Sequence, residues 1–370
     1  MVIKVALLGH GFIAKAHVRG FISATELYGA EKPALEVVYG RRTDALSDFA
    51  SRFGFNAYTT DLEKALSQGD LVDNCLPNHL HAPVAIQAVE RGKHVLLEKP
   101  MAVSVEQAEE LVSVARRQGV KASVGFNYRF LPAISLAKRL ISEGRLGIVH
   151  TFRAAYLQSY LADPNTVVAE SGTLIGWRQK KELAGSGSLG DLGSHAIDLA
   201  RYLVGDISQV VSQEKILYPE RPTGSGEKIK IEVDDAFMAL VKFAQGAFGS
   251  IEASRIAPGM KNQLRVEVHG NRGSIRFNLE RPSELEVYLE EEGDAKGFRD
   301  VIVDDPNWWP PGHVLGWEHS VAIEVSHFLK AVQEDAPIYP AATFEDGLAV
   351  QKVLDAIDRS ARSGRWESIS

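Results

Sequence analysis

An apolar segment near the start of the chain runs directly into a glycine-rich turn. The segment Val2–Leu8 is followed by Gly9-His-Gly11-Phe-Ile-Ala14, a G-x-G-x-x-A pattern between a strand and a helix. In such a unit the first glycine permits a tight turn, the second lets the backbone approach a pyrophosphate, and the small third residue lets the helix pack on the strand. A glycine-rich turn without a ligand is the alternative, but the flanking strand and helix favour dinucleotide binding. The candidate cofactor contacts in this turn are Gly9, Gly11, Phe12 and Ile13.

Short aliphatic segments alternate with amphipathic helical segments throughout residues 1–126. Buried strands separated by helices are typical of parallel β-α-β units, so this part predicts an α/β Rossmann dinucleotide-binding domain. The start of one predicted helix is marked by Ser104 and Gln107, which form a capping-box pattern. The predicted strands are Val2–Leu8, Leu35–Tyr39, Leu71–Asn74, Val95–Leu97 and Lys121–Val124, and the predicted helices are Asp44–Phe53, Ala82–Arg91 and Val105–Gln118.

The pattern changes in residues 127–342, where a helical segment precedes a series of strands. Several strands alternate apolar and polar residues, as around Leu264, Val266 and Val268. That period predicts an α+β substrate and oligomerisation domain with an open, mostly antiparallel sheet. Residues 343–370 are expected to form a C-terminal helix that packs back near the first domain. The predicted helices are Asp191–Val204, His319–Glu334 and Phe344–Ser363, and the predicted strands are Ile229–Val233, Ala236–Phe243, Ala247–Ser254, Gln263–His269, Gly273–Phe277, Glu284–Leu289 and Arg299–Val303.

Composition and net charge limit the kinds of molecule that this protein is expected to bind. The chain has 370 residues, a formal net charge of −7 and a single cysteine, Cys75. The length fits about two domains, the negative charge argues against nucleic acid or an anionic membrane as partner, and one cysteine fits the reducing cytoplasm. No apolar run reaches the ~18 residues of a membrane helix. An open sheet face would need a partner, which predicts a homodimer or homotetramer through that sheet.

The end of the second strand bears on the choice between NAD and NADP. An acidic residue there would hold the adenosine ribose 2′-hydroxyl group, but the sequence is Tyr39-Gly40-Arg41-Arg42-Thr43. Two guanidinium groups suit a 2′-phosphate, so Arg41 and Arg42 are candidate cofactor contacts that favour NADP over NAD. The alternative is an NAD enzyme in which Arg41 only stacks on adenine and Arg42 is solvated.

Two further segments carry ionisable groups suited to proton transfer. Glu98-Lys99-Pro100 follows a predicted buried strand and therefore lies at the carboxyl edge of the sheet, where ligands bind. Asp191 and His195 are four residues apart and share one face at the start of a helix. A carboxylate and an imidazole presented together suit the holding and deprotonation of a hydroxyl group. The structural alternatives are a helix-capping Asp191, a buried and satisfied His195, and a surface Lys99.

These segments together resemble those of the glucose–fructose oxidoreductase/inositol dehydrogenase (Gfo/Idh/MocA) family, and the resemblance covers the whole chain. Within that family the chain is most similar to the levoglucosan-dehydrogenase-like and glycoside 3-dehydrogenase branch. The resemblance implies NAD(P) binding, redox chemistry on a secondary alcohol of a sugar or cyclitol, and Lys99, Asp191 and His195 as the catalytic set. It rests on Gly9-x-Gly11-x-x-Ala14, Pro77-Asn78-His79-Leu80-His81, Glu98-Lys99-Pro100, Gly125-Phe-Asn127-Tyr128-Arg129, and Asp191-x-x-x-His195 with Asp198.

The resemblance also implies roles outside the catalytic set. The loop from Asn78 to His81 lines the cofactor in the family, and two histidines without further ligands are poor support for zinc, so no metal is expected. Residues 127–129 either contact the nicotinamide or sugar hydroxyl groups, or form an interdomain hinge. The candidate cofactor contacts are Asn78, His81, Glu98, Lys99, Asn127 and Arg178, and the candidate substrate contacts are Lys99, Tyr128, Arg129, Gln158, Asp191 and His195.

The sequence thus predicts an NAD(P)-dependent dehydrogenase acting on a secondary hydroxyl group of a sugar, anhydrosugar, glycoside or cyclitol, with C3 as a candidate position. In this prediction His195 removes the hydroxyl proton, Lys99 stabilises the developing alkoxide charge, and Asp191 anchors the hydroxyl groups. The alternatives are a redox-neutral glycoside hydrolase that retains NAD, and a non-catalytic NAD(P)-binding regulator. The presence of all three catalytic groups disfavours the regulator.

Overall fold

The structure, a computed structural model, describes residues 2–168, 176–290, 296–306, 308–313 and 316–369. The chain forms two compact units: unit 1 comprises Met1–Phe130 and Gly316–Leu348, and unit 2 comprises Leu131–Leu315 and Ala349–Ser370. The strands, numbered along the chain, are β1 (Lys4–Leu8), β2 (Ala34–Tyr39), β3 (Ala57–Thr59), β4 (Leu71–Asn74), β5 (His94–Leu97), β6 (Ala122–Val124), β7 (Val149–Leu157), β8 (Ile207–Lys215), β9 (Glu220–Pro222), β10 (Lys228–Lys230), β11 (Ala236–Phe243), β12 (Phe248–Ser254), β13 (Gln263–Gly270), β14 (Gly273–Asn278), β15 (Glu284–Leu289), β16 (Arg299–Ile302), β17 (Ala342–Thr343) and β18 (Glu367–Ser368).

The helices are α1 (Phe12–Tyr28), α2 (Thr43–Phe53), α3 (Leu62–Gln68), α4 (His81–Glu90), α5 (Val105–Gln118), α6 (Pro132–Ser142), α7 (Lys181–Ala184), α8 (Ser194–Leu203), α9 (Glu318–Gln333) and α10 (Phe344–Ser363). Shorter helical turns lie at Asn78–Leu80, Asn127–Phe130 and Trp177–Gln179, and a π-helical turn at Leu189–Gly193 leads into α8.

Unit 1 is built around a seven-stranded sheet with the order β17-β6-β5-β4-β1-β2-β3. Strands β1 to β6 pair in parallel, and β17 adds an antiparallel edge. The strand order reverses between β1 and β4, which is the point where dinucleotides bind in doubly wound sheets. Ser104 caps α5 by accepting the main-chain N–H of Gln107 at 3.3 Å, as the capping-box pattern predicts. The Rossmann prediction is confirmed, although β3, α3 and β17 were not predicted.

Helix α9 belongs to unit 1, whereas the sequence predicts that all of residues 127–342 lie in the second domain. Phe21 of α1 shares a buried core with Val325 and Phe328 of α9. A Cβ atom on Gly20 would lie only 3.0 Å from Val325, so the two helices approach closely at this glycine. The hydrophobic pattern of α9 identifies a helix but not the surface on which it packs.

The C-terminal segment also divides differently from the predicted boundary at residue 343. Residues 344–348 of α10 are in unit 1, and the remainder of the chain belongs to unit 2. In unit 2, the Ser360 hydroxyl oxygen accepts the main-chain N–H of Ser212 at 3.0 Å, and β18 pairs with β8. Most of residues 343–370 therefore complete the second unit.

Unit 2 is built around a nine-stranded sheet with the order β16-β15-β14-β13-β7-β12-β11-β8-β18. Its pairs are antiparallel except that of β12 with β7, so the prediction of an open, mostly antiparallel sheet is confirmed. The predicted strand Ile229–Val233 is present only in part, because β10 spans Lys228–Lys230 and the side chains of Ile231 and Val233 pack in a small core. The helix predicted from Asp191 begins earlier, with the π-helical turn.

The two faces of the unit 2 sheet differ in exposure. Helices α6 and α8 pack on one face, and the other face exposes alternate residues of β11. Met238 is 63% exposed, Leu240 55% and Phe248 62%. This exposed apolar face lies on the open sheet for which the sequence predicts a partner. Among the described residues, no helix has both the length and the apolar character needed to cross a bilayer.

Candidate functional site

The glycine-rich turn of unit 1 has the geometry of a dinucleotide-binding loop. Gly9 has a φ of +106°, and a Cβ atom there would lie 2.7 Å from the Cys75 carbonyl oxygen, so only glycine fits. Gly11 is the N-cap residue of α1, and a Cβ atom there would have open space around it among the described residues. A helix N-terminus beside open space suits a pyrophosphate. Phe12 is exposed and stacks on Trp317 with ring centroids 5.6 Å apart, whereas Ile13 packs against the core.

The end of β2 has a histidine ring where an acidic side chain was sought. A Cβ atom on Gly40 would lie 2.7 Å from Nδ1 of His10, so this ring fills the space of a side chain at position 40. Burial, followed by the charges of Arg42 and Arg41, lowers the pKa of His10, which is therefore neutral at pH 7. Both arginine side chains are exposed. The exposed guanidinium groups of Arg41 and Arg42, beside the neutral His10 ring, are suited to binding an anionic group of a ligand.

The loop after β4 is held mainly by His81. This residue is 1% exposed, with Nδ1 2.7 Å from the Pro100 carbonyl oxygen and Nε2 2.7 Å from that of Leu76. Burial lowers the pKa of His81, and the two carbonyl contacts oppose that effect. Asn78 lies on the helical turn that precedes α4 and is half-buried. His81 therefore links this loop to the Lys99–Pro100 segment through main-chain contacts.

The Glu98–Lys99–Pro100 turn lies at the carboxyl end of β5, as predicted. Glu98 is 8% exposed, and its Oε2 accepts the main-chain N–H of Lys99 at 3.2 Å. The peptide bond between Lys99 and Pro100 is cis. A Cβ atom on Gly125 would lie 3.0 Å from Glu98 Oε1, so this glycine leaves room for the carboxylate. The turn presents Lys99 at the sheet edge where the glycine-rich loop also lies.

The helical turn at Asn127–Phe130 is buried and tied to other parts of unit 1. Asn127 donates through Nδ2 to the Ser320 hydroxyl at 2.7 Å, and Tyr128 accepts the indole N–H of Trp317 at 3.3 Å. Arg129 is 4% exposed and pairs with Asp346 at 3.2 Å. The structure thus gives Asn127 and Arg129 contacts that hold this turn in place. A role in binding cofactor or substrate stays a prediction for all three residues.

In unit 2, Asp191 and His195 lie on consecutive turns. Asp191 is in the π-helical turn, and His195 is the second residue of α8 and only 6% exposed. The Tyr156 ring approaches the His195 ring edge-on, with centroids 6.2 Å apart. Asp191 accepts a hydrogen bond from the hydroxyl group of Tyr160 at 2.9 Å through Oδ2. The pair is therefore presented from one rigid segment.

Asp234 fixes the glycine-rich segment that leads to Asp191. Its carboxylate accepts the main-chain N–H of Gly187 at 2.6 Å, the Ser188 hydroxyl at 2.5 Å and the Leu189 N–H at 2.9 Å. A Cβ atom on Gly187 would lie 1.9 Å from the Asp234 carbonyl oxygen, so the segment requires glycine there. Charge-assisted bonds to main-chain N–H groups hold a loop firmly.

Several residues near this pair were not predicted from the sequence. Arg255 is 1% exposed and donates to the Asp234 carbonyl oxygen at 2.7 Å. Burial would lower the pKa of Arg255, but the interactions with Tyr160 and with the carboxylates of Asp234 and Asp191 raise it, so the guanidinium stays charged. Tyr160 lies in the turn after β7, which ends at Leu157, so the strand pattern does not indicate it.

Gln158 and Arg178 were predicted to contact substrate or cofactor. Gln158 donates through Nε2 to Asn262 Oδ1 at 2.6 Å, and the Tyr156 hydroxyl donates to the same oxygen at 2.7 Å. Asn262 was not predicted, since it lies 104 residues from Gln158 in the sequence. Arg178 lies over the Trp177 ring at 5.2 Å from its centroid. Neither geometry by itself assigns a ligand.

Comparison with known proteins places the sequences of both units in one oxidoreductase family. Residues 3–126 match the family model described as the oxidoreductase family, NAD-binding Rossmann fold, and residues 138–369 match its C-terminal alpha/beta domain. Levoglucosan dehydrogenase of Pseudarthrobacter phenanthrenivorans is 38% identical over 99% of this chain and 98% of its own length. Inositol 2-dehydrogenase of Rhizobium meliloti is 26% identical over 100% of both chains. A solved levoglucosan dehydrogenase in complex with NADH and levoglucosan has a TM-score of 0.93 at 38% identity and covers 100% of both chains.

Proposed function

Because this chain belongs to the Gfo/Idh/MocA oxidoreductase family, we propose that it oxidises an anhydrosugar of the levoglucosan type, with C3 as the reacting position. The chain is an NAD-binding oxidoreductase of the sugar and cyclitol dehydrogenase class. The observation that carries the narrower proposal is the 38% identity to levoglucosan dehydrogenase, which extends over both units.

The residues of each unit have separate tasks in this proposal. The ammonium group of Lys99 stabilises the charge that develops on the substrate oxygen, and His195 accepts the hydroxyl proton. Asp191, which Tyr160 holds by a hydrogen bond, anchors the substrate hydroxyl groups. The glycine-rich turn and the N-terminus of α1 hold the pyrophosphate. When bound, NAD(P) supplies the hydride acceptor, C4 of the nicotinamide.

The test of this function follows absorbance at 340 nm with the purified full chain. NAD and NADP are offered separately with levoglucosan, glucose, inositols and simple glycosides. We expect reduction with levoglucosan to exceed that with glucose or inositols in kcat/KM. Reduction with inositols alone would replace the substrate assignment. Cofactor binding without reduction by any sugar would favour the regulator or the redox-neutral hydrolase.

We also propose that the chain accepts NADP, and prefers it modestly to NAD. Support comes from the exposed Arg41 and Arg42 and from Gly40, where the His10 ring leaves no room for an acidic side chain. A carboxylate at position 40 would repel a 2′-phosphate, and its absence removes that penalty. Each guanidinium can donate charge-assisted hydrogen bonds to a phosphate.

The double variant Arg41→Ala/Arg42→Ala tests the cofactor proposal. Loss of two hydrogen-bonding cations is expected to lower kcat/KM for NADP by about 10²–10⁴-fold, since such bonds contribute about 1.5–3 kcal/mol each. We expect kcat/KM for NAD to change less than about threefold, measured at 340 nm. Arg52→Ala, an exposed arginine in the last turn of α2, is the matched control. Equal losses with both cofactors would contradict a 2′-phosphate contact.

The exposed face of the unit 2 sheet supports a further proposal, that the protein is a homodimer or homotetramer through this face. Met238, Leu240 and Phe248 are large apolar side chains exposed on adjacent strands. Exposed apolar patches of this kind mark interaction sites.

The single cysteine suits the cytoplasm, which we propose as the location.

Substitution Leu240→Glu tests this assembly. A carboxylate at the centre of an apolar interface would be desolvated without a partner, which costs several kcal/mol. We expect the variant to sediment as a single protomer at micromolar concentration, where the unmodified chain sediments as an oligomer. Leu217→Glu, an exposed leucine outside this sheet, is the control. A single-protomer unmodified chain would rule the assembly out.

A further inference from the structure

A buried chain of ionisable groups links α1 to the turn that carries Lys99. His17 of α1 is 0% exposed. Its Nδ1 lies 2.9 Å from Oδ1 and 3.1 Å from Oδ2 of Asp73 on β4, and its Nε2 lies 3.1 Å from Oε1 of Glu98. The three residues are far apart in sequence, so the sheet brings them together. None of the catalytic tasks proposed above involves His17.

The two partners fix the protonation state of His17. Ionised carboxylates only accept hydrogen bonds, so both ring nitrogens must donate, which requires an imidazolium. Burial alone would lower the pKa of His17, but the charge and hydrogen bond of Asp73, with a contribution from Cys75, raise it well above its ordinary value. His17 is therefore a buried cation between two carboxylates.

Other groups that face the cluster do not displace this cation. The Cys75 thiol lies 3.7 Å from Asp73 Oδ1, and loss of solvent and the Asp73 charge raise its pKa to about 12, so it stays protonated. A protonated thiol is a poor metal ligand, although His17, Asp73 and Cys75 have ligand atoms within 4.8 Å of one another. His81 of α4 contributes a weak charge effect on Glu98. Helix α9 meets α1 through apolar residues at Gly20 and carries one buried carboxyl group, Glu324.

His17 affects the turn that carries Lys99 through the Glu98 carboxylate. Burial would raise the pKa of Glu98, but the hydrogen bond and charge of His17, followed by the charge of Lys99, lower it. The same carboxylate accepts the main-chain N–H of Lys99 at 3.2 Å, and the Glu98 main-chain N–H donates to the Asn74 carbonyl oxygen at 3.0 Å. Glu98 is thus ionised, fixed in place and directly joined to Lys99.

We propose that His17 is a positioning residue for Lys99, because as a buried imidazolium between Asp73 and Glu98 it keeps an ionised carboxylate against the main chain of that lysine. The proposal rests on the function proposed above for Lys99. With His17 charged, the two cations, His17 and Lys99, balance the charges of the two carboxylates, Asp73 and Glu98. Without that charge, the buried carboxylates of Asp73 and Glu98 lose the cation between them, and Glu98 loses the hydrogen bond from His17.

The variant His17→Gln tests this role through its pH profile. In this variant the loss of the cation leaves burial to raise the pKa of Glu98, which then takes up a proton as the pH falls. We expect kcat to fall by about tenfold between pH 9 and pH 6.5, beyond any change in the unmodified enzyme, because burial can raise a carboxyl pKa by several units. NADH affinity should stay within about threefold, since the glycine-rich turn is unchanged.

Two further variants separate this role from a general loss of stability. Glu98→Gln keeps an acceptor for His17 but has no charge, so kcat should be low at every pH without the added acidic limb. His327→Gln is the matched control, because His327 lies in unit 1 and contacts only the main-chain carbonyls of Ile338 and Tyr339 and the Phe130 ring in the interactions described. Its pH profile should follow that of the unmodified enzyme.

Nitrogen-15 NMR of the histidine-labelled full chain reads the charge of His17 without relying on activity. We expect both ring nitrogens to give protonated signals from pH 6 to pH 9, assigned by their loss in His17→Gln or, if that variant does not fold, by their shift in Glu98→Gln. A neutral His17 at pH 7, or variants whose pH profiles match that of the unmodified enzyme, would overturn the proposal. If the unmodified chain reduces no cofactor with any sugar, the proposed function fails, and the NMR result still decides the charge state.

Discussion

Replacement of Lys99 by Met is expected to lower kcat by about 10²–10³-fold while NADH affinity stays within about threefold, because the charge that stabilises the developing alkoxide is lost. Met has a similar length and fits the same turn, and the turn itself is held by Glu98 and by the contact of the His81 ring with the Pro100 carbonyl oxygen. The loss should therefore appear in turnover and not in the fold. Single-turnover kinetics at 340 nm and fluorescence titration with NADH measure the two effects separately.

Lys93→Met is the matched control for this experiment. Lys93 precedes β5 at its amino end, whereas Lys99 follows β5 at its carboxyl end, so the two substitutions remove the same charge from opposite edges of one sheet. Ligands of doubly wound sheets bind at the carboxyl edge. We expect the control to keep turnover within about twofold, since surface charges contribute little. A Lys99→Met enzyme with turnover within tenfold of the unmodified enzyme would remove Lys99 from the catalytic set.

Local patterns predict several of the elements that carry candidate residues in each unit. Strand β4 and helix α5 have the predicted bounds, because apolar runs, the Ser104 cap and the flanking turn residues are all encoded within a few positions. Strand β7 is among the elements that were not predicted; it lies in the middle of the unit 2 sheet, and Arg153 on it is exposed. A strand whose outer face carries charged residues offers a weaker apolar signal than a fully buried strand.

Contacts between distant residues account for what the sequence leaves undetermined. Motif resemblance predicts Glu98, Lys99, Asp191 and His195 as site residues, but not the residues that hold them. Tyr160 bonds to Asp191 across 31 residues, and His17 bonds to Glu98 across 81 residues. Such pairings depend on strand order and helix packing, which the periodicity of a short sequence segment does not indicate. The same limit explains α9, whose pattern predicts a helix without indicating that it packs on α1.

Replacement of His195 by Ala is expected to lower kcat by about 10²–10⁴-fold, the range for loss of a positioned general base. His195 is buried on the first turn of α8, beside the Tyr156 ring, so solvent can replace it only poorly as a proton acceptor. The residual turnover should rise with pH, because hydroxide must then take the proton. NADH affinity should be retained, since the dinucleotide fingerprint lies in unit 1.

His269→Ala is the matched control, because His269 also lies in unit 2 but on β13, where it contacts Ser274 and Glu267. We expect that variant to keep its turnover and pH profile. The double variant Lys99→Met/His195→Ala then asks whether the two groups act on one proton transfer. If they do, the combined loss will be much smaller than the product of the single losses, as for groups that act as a unit. Full multiplication of the two losses would instead indicate independent roles, with charge stabilisation by Lys99 separable from proton removal by His195.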